Sequence, residues 1–131
     1  MRILLDTHIL VWALAEPERL DTETTRALKG RDNDVLFSAV SIWEIAIKYR
    51  LGRPDFQREP NDIERAALRT GFIELPLRAA TAARVAELPL LHRDPFDRLL
   101  VAQATAEPAT LYTADRRLAP YSELVWVIAP P

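Results

Sequence analysis

The amino-acid sequence predicts an α/β fold: a mostly parallel central sheet of four to five strands, with helices on both faces. Three observations carry that expectation. Short apolar runs alternate with longer segments of helical periodicity along the whole chain, which is the pattern of successive β–α units. The runs are nearly continuous in hydrophobic residues, as strands buried on both faces require. No internal repeat, low-complexity tract or long linker interrupts the alternation, and 131 residues suit one domain spanning residues 1–131.

The elements follow in order. "RILLD" predicts a buried strand over Ile3–Asp6, and "THILVWALAEP" switches to a helical pattern that stops at Pro17. "DTETTRALKG" predicts a second helix with Asp21 as N-cap and Gly30 just past its end. "NDVLFS" predicts a second strand, Val35–Ser38, and "AVSIWEIAIKYRLG" a strongly apolar helix closed by Gly52. The polar, proline-containing "RPDFQREPND" is a loop. "NDIERAALRTG" is a helix capped by Asn61 or Asp62 and ended by Gly71. "FIELPL" is a third strand, and "RAATAARVAELP" a helix ended by Pro89. "HRDPFDRLLVAQA" opens a helix that runs to Glu107, before Pro108; "ATLYTAD" is a fourth strand and "LVWVIAPP" a fifth.

Composition narrows the function classes. Hydrophobic residues make up 49% and charged residues 27%, a globular rather than a disordered balance. No apolar run approaches the length of a membrane span. "MRILLD" meets an acid at Asp6, too early for the apolar core of a signal peptide. Cysteine is absent, which excludes disulfides and zinc–thiolate sites and suits a cytoplasmic protein. The net charge of −2 provides no global attraction to nucleic acid. The cations are nearly all arginine, with lysine only at Lys29 and Lys48. Arginine suits bidentate phosphate contacts, although a GC-rich coding sequence produces the same bias.

Sites in open parallel sheets lie beyond the carboxyl ends of the strands, and the acids of this chain fall there. Asp6 ends the first strand and Asp115 follows the fourth. Asp94 and Asp97 stand at the start of the helix leading into the fourth, and Glu44 lies inside the helix after the second. Each acid also has a purely structural reading. Asp6 can cap the first helix and Asp115 a short turn. Asp94 can cap its helix, with Pro95 in the first turn and Asp97 favouring the helix dipole. Glu44 can pair with Lys48 on a solvated face. Collectively the chemical reading is stronger. Two carboxylates about 4 Å apart repel by roughly 4 kcal/mol at an effective dielectric near 20. Four together call for a cation, and oxygen donors without cysteine select a hard one, Mg²⁺ or Mn²⁺. Such an ion polarises a phosphoryl oxygen and activates water, which suits phosphodiester hydrolysis.

The residues that carry this pattern resemble a known family. "LLDTHILVW", "SAVSIWEIAIKYRLG", "HRDPFDRLLVAQA" and "LYTAD", in that order and spacing, resemble the PIN-domain ribonucleases, and most closely the VapC-like toxins of toxin–antitoxin pairs. The resemblance covers most of the chain; Gly52–Asn61 carries little of it. It implies a three-layer α/β/α PIN-like fold and a Mg²⁺-dependent endoribonuclease. It places the family's acids on Asp6, Glu44, Asp97 and Asp115, with Thr113 two positions before the last. Asp6 and Asp97 are expected to ligate the metal most directly, and Glu44 and Asp115 to complete the cluster through water or a second ion. Thr113 is expected to orient Asp115, while Asp94 caps the helix or supports the site from behind. The expected reaction is attack by activated water on a phosphodiester of single-stranded or looped RNA, leaving a 5′-phosphate.

An acidic site repels RNA, so cations at the rim must engage the phosphates. Arg50, Arg53 and Arg58 near the loop after the Glu44 helix, and Arg98, Arg116 and Arg117 beside the last two acids, are the candidates. His8 and His92 are not required by a metal mechanism. Trp12 and Trp43 can stack on bases, but their apolar helical surroundings favour core or interface positions. The resemblance further implies a small antitoxin that covers the site, and a homodimer of the toxin. Two other classes compete. An aspartyl phosphotransferase would use Asp6 as nucleophile, but it wants a second acid where His8 stands and a late lysine that is missing. A non-catalytic binding module would use the acids only as caps and ion pairs.

Overall fold

The computed structural model describes residues 1–131. Five strands form one sheet: β1 (Arg2–Leu5), β2 (Asp34–Ser38), β3 (Ile73–Leu75), β4 (Thr110–Thr113) and β5 (Val125–Val127). The spatial order is β3-β2-β1-β4-β5 and every pairing is parallel. The sheet is thus wholly parallel, and the fifth apolar run is a true strand. Between the strands lie helices α1 (Thr7–Ala15), α2 (Thr22–Lys29), α3 (Ala39–Arg50), α4 (Pro60–Thr70), α5 (Ala79–Ala83) and α6 (Pro95–Ala106), with 3₁₀ turns at Pro17–Arg19, Arg84–Glu87 and Arg116–Tyr121.

The period-2 geometry of β1 divides the core into two layers. Ile3 and Leu5 pack with Ile9, Leu10, Phe37, Ile45 and Ile63 on one side. Leu4 packs with Leu36, Leu100, Val101, Leu111 and Leu118 on the other. β1 is the central strand and Ile3, Leu4 and Leu5 are fully buried, which is why the run carries no polar residue until Asp6. The result is the three-layer α/β/α arrangement.

Several element ends differ from the sequence expectation. α4 starts at Pro60 with Glu59 before it, so Asn61 and Asp62 lie in its first turn and do not cap it. Proline fits the first helical position because its missing N–H has no partner to lose there. The segment after β3 is not one helix: α5 spans five residues and passes into the 3₁₀ turn Arg84–Glu87. β3 keeps only Ile73–Leu75 of the "FIELPL" run. Asp21 precedes α2 but makes no side-chain cap bond, and its Oδ1 is buried without a partner. Gly71 ends α4 with φ 98°, the left-handed conformation that glycine adopts without strain. Gly30, by contrast, sits after α2 with φ −66°.

Truncating Leu4 in the central strand leaves a cavity that both sheet neighbours must span. Leu4→Ala is expected to cost about 2–5 kcal/mol of stability in chemical denaturation; a loss well under 1 kcal/mol would contradict its central place in the core.

Candidate active site

A parallel sheet puts the carboxyl ends of β1 and β4 side by side, with Leu5 in register with Tyr112. The Asp6 backbone N–H continues that ladder to the Tyr112 carbonyl at 2.9 Å. Asp6 therefore leaves β1 beside Thr113, and the first turn of α1 begins directly behind it. Its Oδ1 accepts from the Thr7 N–H at 2.6 Å and its Oδ2 from the Thr113 hydroxyl at 2.5 Å. Asp6 is both the cap of α1 and a group of the site. Burial raises its pKa above the ordinary carboxylate value, against the lowering effect of the Thr113 bond.

Glu44 reaches the same place from α3. Ser41 and Glu44 are buried and Lys48 is half-buried, so the polar stripe of this helix faces the interior while Trp43 stands exposed. Glu44 Oε1 accepts from the Thr7 hydroxyl at 2.6 Å, and Oε2 from Lys48 Nζ at 2.5 Å. The i,i+4 pair foreseen for a solvated face is thus present, but inside the fold. There the lysine offsets a carboxylate that would otherwise be costly to bury.

Asp97 and Asp94 come from the start of α6. Asp94 caps the helix, its Oδ1 accepting from Phe96 N–H at 2.9 Å, with Pro95 in the first turn. One turn in, the Asp97 carboxylate accepts no hydrogen bond; the His92 Nε2 lies 3.3 Å from its Oδ2. Burial, then the charges of Asp6, Asp94, Glu44 and Asp115, push its pKa up to about 8. Asp115, past β4, has the opposite fate. The exposed Arg117 guanidinium forks onto its carboxylate at 2.8–3.2 Å and is the main reason its pKa falls to about 2.

These acids line one cleft of about 430 Å³, together with His8, Trp12, Lys48, Asp55, Arg116 and Arg117. Asp6, Glu44, Asp94, Asp97 and Asp115 therefore converge. Arg116 shares their cleft, exposed and without an ion pair. Arg50 and Arg53 instead line a neighbouring hollow with Tyr49 and Phe56, and Arg58 lies on the exposed surface outside both.

Two expectations need correction. Arg98 does not line the cleft. Its guanidinium donates to the carbonyls of Val85 and Pro89 and to the Tyr121 hydroxyl, fastening the 3₁₀ turn to α6. Thr113 does not orient the Asp115 side chain. Its hydroxyl donates to Asp6 and accepts from the Asp115 backbone N–H at 3.0 Å, so it aims one carboxylate and fixes the backbone of the other.

Sequence reasoning undervalued His92. Its Nδ1 accepts from the Asp94 backbone N–H at 3.1 Å, and its Nε2 lies 3.1 Å from Asp115 Oδ2. An Nδ1 engaged as acceptor leaves Nε2 to carry the proton, which it donates to Asp115 Oδ2, with Asp97 Oδ2 farther off at 3.3 Å. Potential ligand atoms of His92, Asp97 and Asp115 lie within 4.8 Å of one another, close enough to hold one metal ion. The only sequence signal was its place two residues before the capping Asp94.

The donor set fits a hard divalent cation: carboxylate oxygens dominate, thiols are absent, and Asp97 is crowded by like charge. The same crowding sets a pH dependence. A carboxyl whose pKa is raised on folding binds its proton more tightly in the native state, so stability falls as pH rises from 3.8 toward 8. Asp115 acts in reverse, contributing stability above 3.8 that is lost as pH falls toward 2. Without metal, Asp97→Asn is expected to be more stable than the parent at pH 8, on the order of 2 kcal/mol, with the gap closing toward pH 4. Melting curves across that window check it, and a pH-independent difference would refute it.

Comparison with known proteins agrees with this fold. Residues 3–124 match the PIN domain family. Ribonuclease VapC22 of Mycobacterium tuberculosis is 31% identical over 121 residues, covering 88% of each chain. A chain from the crystal structure of VapBC2 from Rickettsia felis bound to a promoter DNA fragment superposes with TM-score 0.73 at 20% identity. That match covers 98% of this chain and all of the other, and it shows the fold. With the sheet order, the converging acids and these matches in agreement, the chain belongs to the PIN-domain family, among its VapC-like members.

Proposed function

We propose that residues 1–131 form one PIN-like domain that acts as a Mg²⁺- or Mn²⁺-dependent endoribonuclease, a cytoplasmic toxin restrained by a cognate antitoxin. The observation that carries this reading is the state of Asp97: it is half-buried among four other carboxylates, accepts no hydrogen bond and has its pKa pushed up to about 8. A divalent cation there would relieve the repulsion, polarise a phosphoryl oxygen and activate the attacking water.

The chain's own residues divide the remaining work. Asp97 and Asp6 hold the ion most directly, and Glu44 and Asp115 complete the cluster. Thr7 and Thr113 fix the carboxylates of Glu44 and Asp6, so little reorganisation is needed when charge develops at phosphorus. Lys48 offsets Glu44 and narrows the net negative charge facing an incoming phosphate. Arg116 meets the RNA backbone at the rim, and Arg50 and Arg53 extend the basic surface along the adjacent hollow. The relative from Mycobacterium tuberculosis is named a ribonuclease, which supports the same chemistry in this chain.

The partner reading rests on the surface. Trp43, Leu90 and Leu91 are 56%, 77% and 52% exposed, and apolar side chains of this size on a surface suit protein partners: an antitoxin and a second copy of the chain. The structure of VapBC2 from Rickettsia felis supports a pairing of that kind. No helix is long and apolar enough to cross a membrane. A covalent phosphotransferase is disfavoured because His8 stands where a second acid is wanted and no lysine follows Lys48.

RNA cleavage is expected with Mg²⁺ or Mn²⁺ and to stop on chelation. Asp97→Asn and Asp6→Asn should fold, lose calorimetric metal binding and drop cleavage roughly 100-fold or more. Full activity in either variant would sink the assignment. RNA binding should also weaken steeply with salt, and a flat salt response would remove the arginine rim from the reading.

A further inference from the structure

The acidic cleft continues into a second hollow that the acids do not explain. It encloses about 260 Å³ and is walled by Trp12, Arg19, Arg116, Val127 and Ile128. Trp12, Ala114 and Arg116 line both spaces, so cleft and hollow form one groove. Trp12 is half-buried, and the Arg19 guanidinium carbon lies 5.5 Å from its ring centroid. Arg19 is otherwise held only by an exposed pair with Glu16 at 3.0 Å, a contact of small worth. Arg116 has no ion pair at all and stands exposed where the two spaces meet.

An RNA strand with a phosphate at the carboxylates can lay its neighbouring nucleotide along this groove. Going this way it meets an aromatic ring, a guanidinium plane, an apolar wall and a free cation, which are the elements that bind single-stranded nucleic acid. We propose that the hollow is a nucleotide subsite: the base beside the scissile phosphate packs on the platform of Trp12 and Arg19, and Arg116 engages the phosphate between subsite and cleft. This rests on the ribonuclease reading and adds a specificity element to it. Stacking strength follows the size of the base, so the subsite favours a purine over a pyrimidine next to the cut.

The test uses the full chain with Asp97→Asn to prevent turnover, and with Trp43→Phe and Trp126→Phe so that Trp12 is the one remaining tryptophan of three. Short oligoadenylate and oligouridylate are titrated, with anisotropy reporting binding and Trp12 fluorescence reporting stacking. Oligoadenylate is expected to bind tighter and to quench Trp12. Trp12→Ala should weaken oligoadenylate binding roughly 5- to 100-fold and flatten the purine preference, with Trp12→Phe restoring most of it. Arg116→Ala should lower the salt slope by about one. Trp12 also packs against the core; if the alanine variant does not fold, Trp12 quenching and the oligoadenylate-to-oligouridylate ratio of the protein that retains Trp12 decide the matter. RNA binding without quenching, and with equal affinity in the Trp12 variants, overturns the subsite and leaves the ribonuclease reading standing. Failure of the wild-type protein to bind or cleave any RNA overturns both.

Discussion

Like charge at the carboxyl end of the sheet is the constraint on which the rest of this site depends. Six carboxylates and only three lysine or arginine cations line one cleft, and most of those acids are partly or wholly removed from water. Each is compensated differently. Asp6 receives a backbone N–H and a neutral hydroxyl. Glu44 receives a hydroxyl and a lysine, and Asp115 an arginine fork. Asp97 receives only a neighbouring imidazole at 3.3 Å. The least compensated carboxylate marks where an external cation gains most, because desolvation and like-charge repulsion both act there and no internal donor offsets them.

The compensating groups explain details of the fold that packing alone leaves arbitrary. Thr7 is fully buried at the first turn of α1 because its hydroxyl serves Glu44 on another helix. Thr113, also fully buried, joins the ends of β1 and β4 through Asp6. The buried Ser38 hydroxyl and Gln103, in close hydrogen-bonding contact, tie the end of β2 to α6 and so fix the helix that carries Asp97. The polar residues of the interior thus form struts between elements that deliver acids. Buried polar groups are tolerated only where they are paired, and here the pairing also sets the aim of the site.

Much of this was legible in the residues. Apolar runs and helical periods placed all five strands and nearly every helix, because burial on both faces of a parallel sheet leaves a plain hydrophobic signature. Asp6, Asp97 and Asp115 were legible because each follows a strand or opens a helix, Glu44 because it is a polar residue within a strongly apolar helix, and "DPFD" showed both a cap and a second acid one turn in. Element ends were less legible. The start of α4 and the break after α5 turn on which backbone N–H groups find partners, and that depends on neighbours distant in sequence. The same holds for Arg98, which is near the acids in sequence yet spends its donors on the carbonyls of Val85 and Pro89. His92 was equally open to a surface reading until Asp94 and Asp115 were seen to engage its two ring nitrogens.

By itself the sequence determined the α/β alternation, the hydrophobic strands and the supply of carboxylates at their ends, because local pattern and residue chemistry act over a few positions. Tertiary structure alone decided which of those carboxylates would stay uncompensated. The strand order β3-β2-β1-β4-β5 brings Thr113 to Asp6, 107 residues away. Packing of α3 against the sheet turns Lys48 inward to Glu44, and the turn after β4 lets Arg117 fold back on Asp115. Asp97 is left with the unbalanced charge. That outcome depends on distances and burial among groups from four separate stretches of chain, and no single stretch encodes it.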